Sequence, residues 1–373
     1  MINKEIKKIK RNFGIDLLRI ISMINIINLH INLFSGQLSL NFKSPKYKQI
    51  WRLQSFSYWS VDGFGLISGI VGYKRYKFSN LIYFWILVCF YSISISLYLY
   101  FIKKEITKRY LFLSFFPILI KRHWYVNAYF SMYLLLPFLN YGIQSLNIKI
   151  YRNLIIFFIG FYSLYNMIAI IFGKNNNLFL MNGYSGMWLT ILYIIGAYLG
   201  KYIIKFENEY IVIHYIFYIF IYIFSSFISS EIKFKLLKTK RKIPNKILIN
   251  YQSPTMLLQA ISLIMLFSKI NIQNKLLIKI ISFLTPLNFS VQLLHSRIFQ
   301  TKMKIKIILF KWINNFNDNK FFFKIYAISI IVYVICIFID YLRLILFKLI
   351  KIRELCLFIE RKTPQIIDKL LCN

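Results

Sequence analysis

RNFGIDLLRIISMINIINLHINLF, residues 11–34, starts basic and then stays apolar for long enough to cross a bilayer. It nevertheless carries Asp16, Arg19 and His30. Ionisable side chains are costly inside a membrane helix and mark candidate functional positions. Arg19 and His30 are eleven residues apart. Eleven steps of about 100° leave a net rotation of about 20°, so both side chains project from one face, about 16 Å apart along the axis. Asp16, three residues before Arg19, is placed to pair with and orient its guanidinium. The plain alternative is a first helix whose Arg19 snorkels to the interface and whose His30 is a satisfied polar residue.

Composition extends this reading to the whole chain. The 373 residues are 58% hydrophobic and 19% aromatic, with mean hydropathy +0.58. These values exclude an ordinary soluble domain and indicate an all-α, polytopic helical membrane protein. A net charge of +36 would suggest nucleic acid in a soluble chain. Here the Lys and Arg cluster between apolar runs, which points instead to anionic lipid headgroups or a phosphorylated ligand. Cys89, Cys336, Cys356 and Cys372 form no CxxC pair and no metal-ligand spacing, so no metal site is expected. The first apolar run lacks a small-residue cleavage site, and no internal repeat is evident.

Taken in order, residues 1–13 carry Lys4, Lys7, Lys8, Lys10 and Arg11, a basic lead that favours a cytoplasmic N-terminus. Spans are expected at about 14–34, 57–73, 79–102, 122–142, 153–172, 184–204, 210–229, 254–270, 276–299 and 324–350. These ten spans would put both termini on one side. Lys and Arg divide almost equally between the two sets of loops, so only the first helix supports the orientation. The run at 57–73, SYWSVDGFGLISGIVGY, holds Asp62, Ser68 and four glycines that permit close helix contact or ligand approach. Lys74, Arg75 and Lys77 follow it, as a positive anchor or as an anion clamp. Residues 110–120, interrupted by Pro117, are too short to span and read as re-entrant or interfacial.

After His123 and Trp124, residues Tyr125, Tyr129, Met132 and Tyr133 share a helix face. That face is helix packing with an interface belt, or a platform for a sugar. The span at 276–299 holds Pro286, Asn288, Ser290, Gln292 and His295, a polarity that lining a cavity would explain. The stretches 231–250 and 301–320 read as a basic loop and an interfacial segment. Residues 1–350 thus form the membrane-embedded domain, and 351–373 an amphipathic tail at the membrane surface.

Four stretches resemble the acyltransferase-3 family of integral-membrane O-acyltransferases. GIDLLRIISMINIINLH resembles the opening helix, with Arg19 and His30 at its Arg and His positions. VDGFGLISGIVGYKRYKF is similar to the family's ISG helix and its trailing basic residues. FFPILIKRHWYVNAYFSMYLLLPFLN resembles its proline turn and following helix, and NFSVQLLHSRIF its late histidine segment. All four fall in family order.

The resemblance implies transfer of an acyl group, usually acetyl, from cytoplasmic acyl-CoA to a hydroxyl of a surface polysaccharide or other glycan, free or lipid-linked, at the cell membrane. It implies His30, Arg19 and Asp16 as catalytic residues. Arg19, Ser68, Lys74, Arg75 and Lys77 would hold the donor, and Trp124, Tyr125, Tyr129, Tyr133 and His295 the acceptor. The pantetheine arm has a length comparable to the Arg19–His30 rise. The other reading is a secondary transporter of an anionic or sugar-like solute, but inverted repeats are not found. Membrane lipids are expected neighbours; nucleic acid is not.

Overall fold

The computed structural model describes residues 11–41, 43–74, 76–104, 106–118, 123–173, 180–204, 211–238, 247–301 and 321–371. Arg75 and all but the first residue of the expected segment 301–320 lie outside them. The described residues are helical, with no strand among them.

The first helix, α1 (Phe13–Phe34), begins where Asn12 caps it: the Asn12 side chain accepts from the Ile15 N–H and donates to the Ser268 carbonyl. Next come α2 (Pro45–Ser57), α3 (Trp59–Gly72), α4 (Phe78–Phe101), the short α5 (Lys108–Leu113) and α6 (Trp124–Ser145). A π-helical stretch, Ile159–Tyr165, joins α7 (Ile148–Phe158) to α8 (Asn166–Ile171). Beyond these lie α9 (Gly186–Tyr198), α10 (Ile211–Lys238) and α11 (Pro254–Ser268). A 3-10 turn at Thr285–Leu287, containing Pro286, breaks the next column into α12 (Lys275–Leu284) and α13 (Asn288–Thr301). Two last helices, α14 (Phe321–Leu349) and α15 (Ile352–Leu371), close the chain.

Each of the ten expected spans is helical, but seven helical segments are long and apolar enough to cross a membrane. Three segments fall short of that pair of criteria. α3 and α11 have 14 and 15 residues, against the about 20 a span needs. α6 is long enough at 22 residues but too polar. All three contribute to one apolar core with α9, and protein surrounds much of the surface of α3 and α11, whereas α6 leaves Leu134, Leu135, Phe138 and Tyr141 exposed. Two stretches outside the expected spans, within the polar residues 35–56 and the basic loop 231–250, are helical instead. α2 replaces the polar loop after helix 1, with Pro45 at its first position, and α10 runs on to Lys238.

α1 is the axis of the bundle. Its Ile15, Leu18 and Ile26 join the core built by α3, α6, α9 and α11. Its Ile20, Met23, Ile27 and Ile31 join a second core with α4, α13 and α14. A polar ladder runs along α1 as well: Asn32 donates to Asn28, Asn28 to Ser57, and the Tyr326 hydroxyl to Asn25. α3 meets α9 through glycine. A Cβ at Gly69 would strike the Tyr193 carbonyl, and one at Gly196 the Leu66 carbonyl. Glycine's missing side chain lets the two backbones touch.

The pairings also fix direction. Asn28 meets Ser57 while Ser22 lies at Gly63, so α3 runs antiparallel to α1. The end of α3 and Lys74 therefore lie at the Asp16 end of α1, and the start of α3 at the His30 end.

Candidate active site

Arg19, Met23, Ile26 and His30 fall at i, i+4, i+7 and i+11, one stripe along α1. Met23, Ile26 and His30 wall a narrow cavity whose other sides come from Val61 and Phe64 of α3, Trp124 and Tyr125 of α6, Tyr251, and Phe289 and Gln292 of α13. Its free volume is about 30 Å³, room for a group of one or two water-sized units. The buried Gln292 Oε1 has no hydrogen-bond partner among the described residues. An orphaned acceptor in a cavity wall suits a ligand that brings an O–H or N–H.

At one end of the stripe, Asp16 sits between two arginines. Its Oδ1 lies 3.3 Å from Arg19 Nη1 and its Oδ2 2.5 Å from Arg11 Nε. The expected Asp16–Arg19 pair thus forms, and Arg11 shares the same carboxylate. Arg19 also lies close enough to Tyr125 and Tyr129 to interact electrostatically. The tyrosine face of α6 runs away from the cavity: Tyr125 stacks on Tyr129 at 6.2 Å, and Tyr129 meets Tyr133 at 6.0 Å. The Tyr133 hydroxyl donates to the Lys77 carbonyl, and its ring meets Tyr76. Tyr125 alone of these three tyrosines therefore walls the His30 cavity, while Tyr133 belongs to the basic end. Lys74 and Lys77 are exposed there, and Ser68 gives its hydroxyl to the Phe64 carbonyl of its own helix.

At the other end, three of the chain's four histidines meet. His30 Nδ1 lies 2.8 Å from His295 Nε2, and His295 Nδ1 lies 2.6 Å from the Val291 carbonyl oxygen. His123 Nδ1 is 3.2 Å from the Ser296 hydroxyl on the next residue. His295 is completely buried and stands behind His30 rather than on the cavity wall. Trp124 stacks on Tyr251 at 5.7 Å, and Tyr184 packs against both rings. Tyr58 completes this aromatic cluster. Asp62 is buried beside it, its Oδ1 accepting from Trp188 Nε1 at 3.0 Å and its Oδ2 without a partner among the described residues.

Tyr251, Tyr184 and Tyr58 had no signal in the sequence. Tyr251 follows a hydrophilic stretch, and its ring reaches Trp124 only through the tertiary fold. Asp62 stood out as a polar residue in an apolar helix, without a role, and Gln292 lines the cavity as the polarity of its span suggested. Among the described residues, no cluster of three or more His, Cys, Asp or Glu is placed to hold a metal ion.

A bundle of membrane-length helices around an embedded Arg, His and carboxylate defines an integral-membrane protein with a polar site inside the bilayer region. The profile of the acyltransferase-3 family, described as an acyltransferase domain, matches residues 12–341, and the chain belongs to that family. No curated protein and no solved structure matches it.

Proposed function

We propose that this membrane acyltransferase moves an acetyl or other short acyl group from acyl-CoA to a glycan hydroxyl, with His30 as general base. One observation carries the reading: His30 opens onto a cavity walled by aromatic rings, and the Arg19–Asp16 pair lies farther along the same stripe of α1. A phosphorylated donor is complementary to Arg19, Lys74 and Lys77. A sugar is complementary to the faces of Trp124 and Tyr251, since these rings offer apolar area with a polar tip. The stripe from Arg19 to His30 spans about 16 Å between the two, enough for an extended arm to carry its thioester from the cations to the imidazole.

In this scheme His30 takes the proton of the acceptor hydroxyl as its oxygen bonds to the thioester carbonyl carbon. The carbon–sulfur bond then breaks, and His30 returns the proton to the departing thiolate. Acceptor and acyl-CoA become ester and free thiol, with no other reactant. Arg19, tethered by Asp16, binds and orients. The Gln292 amide oxygen offers a hydrogen-bond acceptor to a neighbouring hydroxyl of the sugar.

The test is radiolabelled acetyl transfer from acetyl-CoA by detergent-purified, monodisperse protein to glycan acceptors, read in single turnover beside acyl-CoA binding. His30→Ala should lower transfer about 10²- to 10⁴-fold, the usual worth of a general base, while binding persists. Transfer at the wild-type rate by His30→Ala would remove His30 from the chemistry.

A further inference from the structure

The geometry points to a positioning role for His295: it sets which nitrogen of His30 carries the proton, leaving His30 Nε2 bare toward the cavity. This rests on the reading of His30 as base and deepens it.

The argument starts at a carbonyl. The Val291 oxygen can only accept, so the short contact to His295 Nδ1, 2.6 Å, requires a proton on that nitrogen. Val291 and His295 are one helical turn apart on α13, so the imidazole folds back along its own helix and turns Nε2 outward. His295 is fully buried, where an uncharged imidazole is the less costly form. A neutral ring protonated at Nδ1 has a lone pair at Nε2. His30 Nδ1 lies 2.8 Å from that nitrogen. It must therefore be the donor, and a neutral His30 that donates from Nδ1 keeps its lone pair at Nε2.

His30 makes no other hydrogen bond among the described residues, and the ring lines the cavity. The chain Val291 carbonyl, His295, His30 is thus a row of donors running one way, with a base at its open end. During transfer His30 Nε2 would gain a proton while Nδ1–H stays on His295, so no proton needs to leave the pair. A third residue that orients a base by holding its far nitrogen is a recurring catalytic device. It is built here from a second imidazole in place of a carboxylate.

The chain contains four histidines, so [15N]histidine-labelled protein gives a short set of imidazole signals. Magic-angle-spinning spectra of the full chain in lipid should show His30 and His295 both neutral and both protonated at Nδ1. His30→Ala identifies the His30 signals by their loss. A wild-type His30 protonated at Nε2, or a charged His295, would overturn the assignment.

Two variants carry the test into function. His295→Phe keeps a ring of similar size and removes the acceptor. His30 should then lose its fixed tautomer, and kcat should fall by about 10²- to 10⁴-fold, as when an orienting group is lost, with KM for acyl-CoA unchanged. His295→Gln restores an acceptor oxygen and should recover at least about tenfold of that loss together with the Nδ1–H form of His30. An unaltered tautomer and kcat in His295→Phe would reduce His295 to a packing residue. Should His295→Phe fail to fold, the wild-type and His295→Gln spectra decide. The spectra also separate the two claims: if no acyl transfer is found, the tautomer still reports whether His295 fixes His30.

Discussion

Arg19 owes its place to one carboxylate that it shares with Arg11. Arg19→Lys keeps the charge but loses the planar fork, so KM for acyl-CoA should rise about tenfold, the worth of one charge-assisted hydrogen bond. Asp16→Asn should raise it less, because the guanidinium remains and only its tether weakens. Equal KM values for all three proteins would move Arg19 to a purely structural role. The tyrosine face makes a second, sharper division. Trp124→Ala should raise the acceptor KM by about two- to tenfold, the worth of a stacked ring. Tyr133→Phe should affect only the donor, since Tyr133 joins Lys77 at the basic end. A common effect of both variants on the acceptor would restore the expectation that the whole tyrosine face binds sugar.

At the scale of elements, the bundle is held by close backbone contact and by a buried ion pair remote from the cavity. On α14, Arg343 gives Asp340 two hydrogen bonds and Tyr83 a third, while Tyr91 donates to Asp340 at 2.5 Å. Asp340 is completely buried and Arg343 nearly so. Removing one partner strands the other charge, so Asp340→Asn should cost about 3–5 kcal/mol, read as a lowered unfolding temperature in detergent. The joint replacement Asp340→Leu with Arg343→Met should be markedly less harmful, because no charge is left unpaired. Greater damage from the double variant would mean the pair does more than neutralise itself. Gly196→Leu should prevent folding outright, since its side chain has only the backbone of α3 to occupy.

Across the whole molecule, the two ends of the α1 stripe differ in kind. Lys74, Lys77 and the α15 helix gather at one end. There Arg353 donates to Asn80, and Glu360 faces the first residues of α4. The Ser79 side chain, then the Ser79 and Phe78 N–H groups, hold the Glu360 carboxyl below its ordinary value. A lowered folded-state value contributes stability that is present above the unfolded value and lost as pH falls through the folded one. The protection of amides at 352–363, taken relative to the intrinsic exchange rate at each pH, should therefore fall in acid, and Glu360→Gln should remove that pH dependence. In a background without native cysteines, thiols placed at Lys74 and Arg353 should react from the same side of the membrane, and one at Tyr184 from the other. Labelling of 74 and 184 from one side would break the two-ended site. The excess of positive charge also serves structure: Lys201 donates to the Ile143, Gln144 and Leu146 carbonyls and so caps the end of α6.

Helical period and hydropathy are local properties, so residues 11–34 by themselves determined a membrane-length helix with Asp16 tied to Arg19 and His30 on the same stripe. The order of four motifs likewise determined the family. Spans were legible wherever one helical segment is both long and apolar. The count of ten is not confirmed at α3, α6 and α11: α3 and α11 are short helices packed into the core, and α6 is long but too polar. α2 went unread because it is too polar on average, although Tyr47, Ile50, Trp51 and Leu53 are buried. Only the tertiary structure decided that His295 stands behind His30 and not on the cavity wall, that Tyr133 lies at the basic end, and that Tyr251 completes the aromatic end. Each of these is a contact between residues far apart in the chain, set by the packing of α13 on α1 and of α6 along α9, and no periodicity within a single helix encodes which neighbour its face will meet.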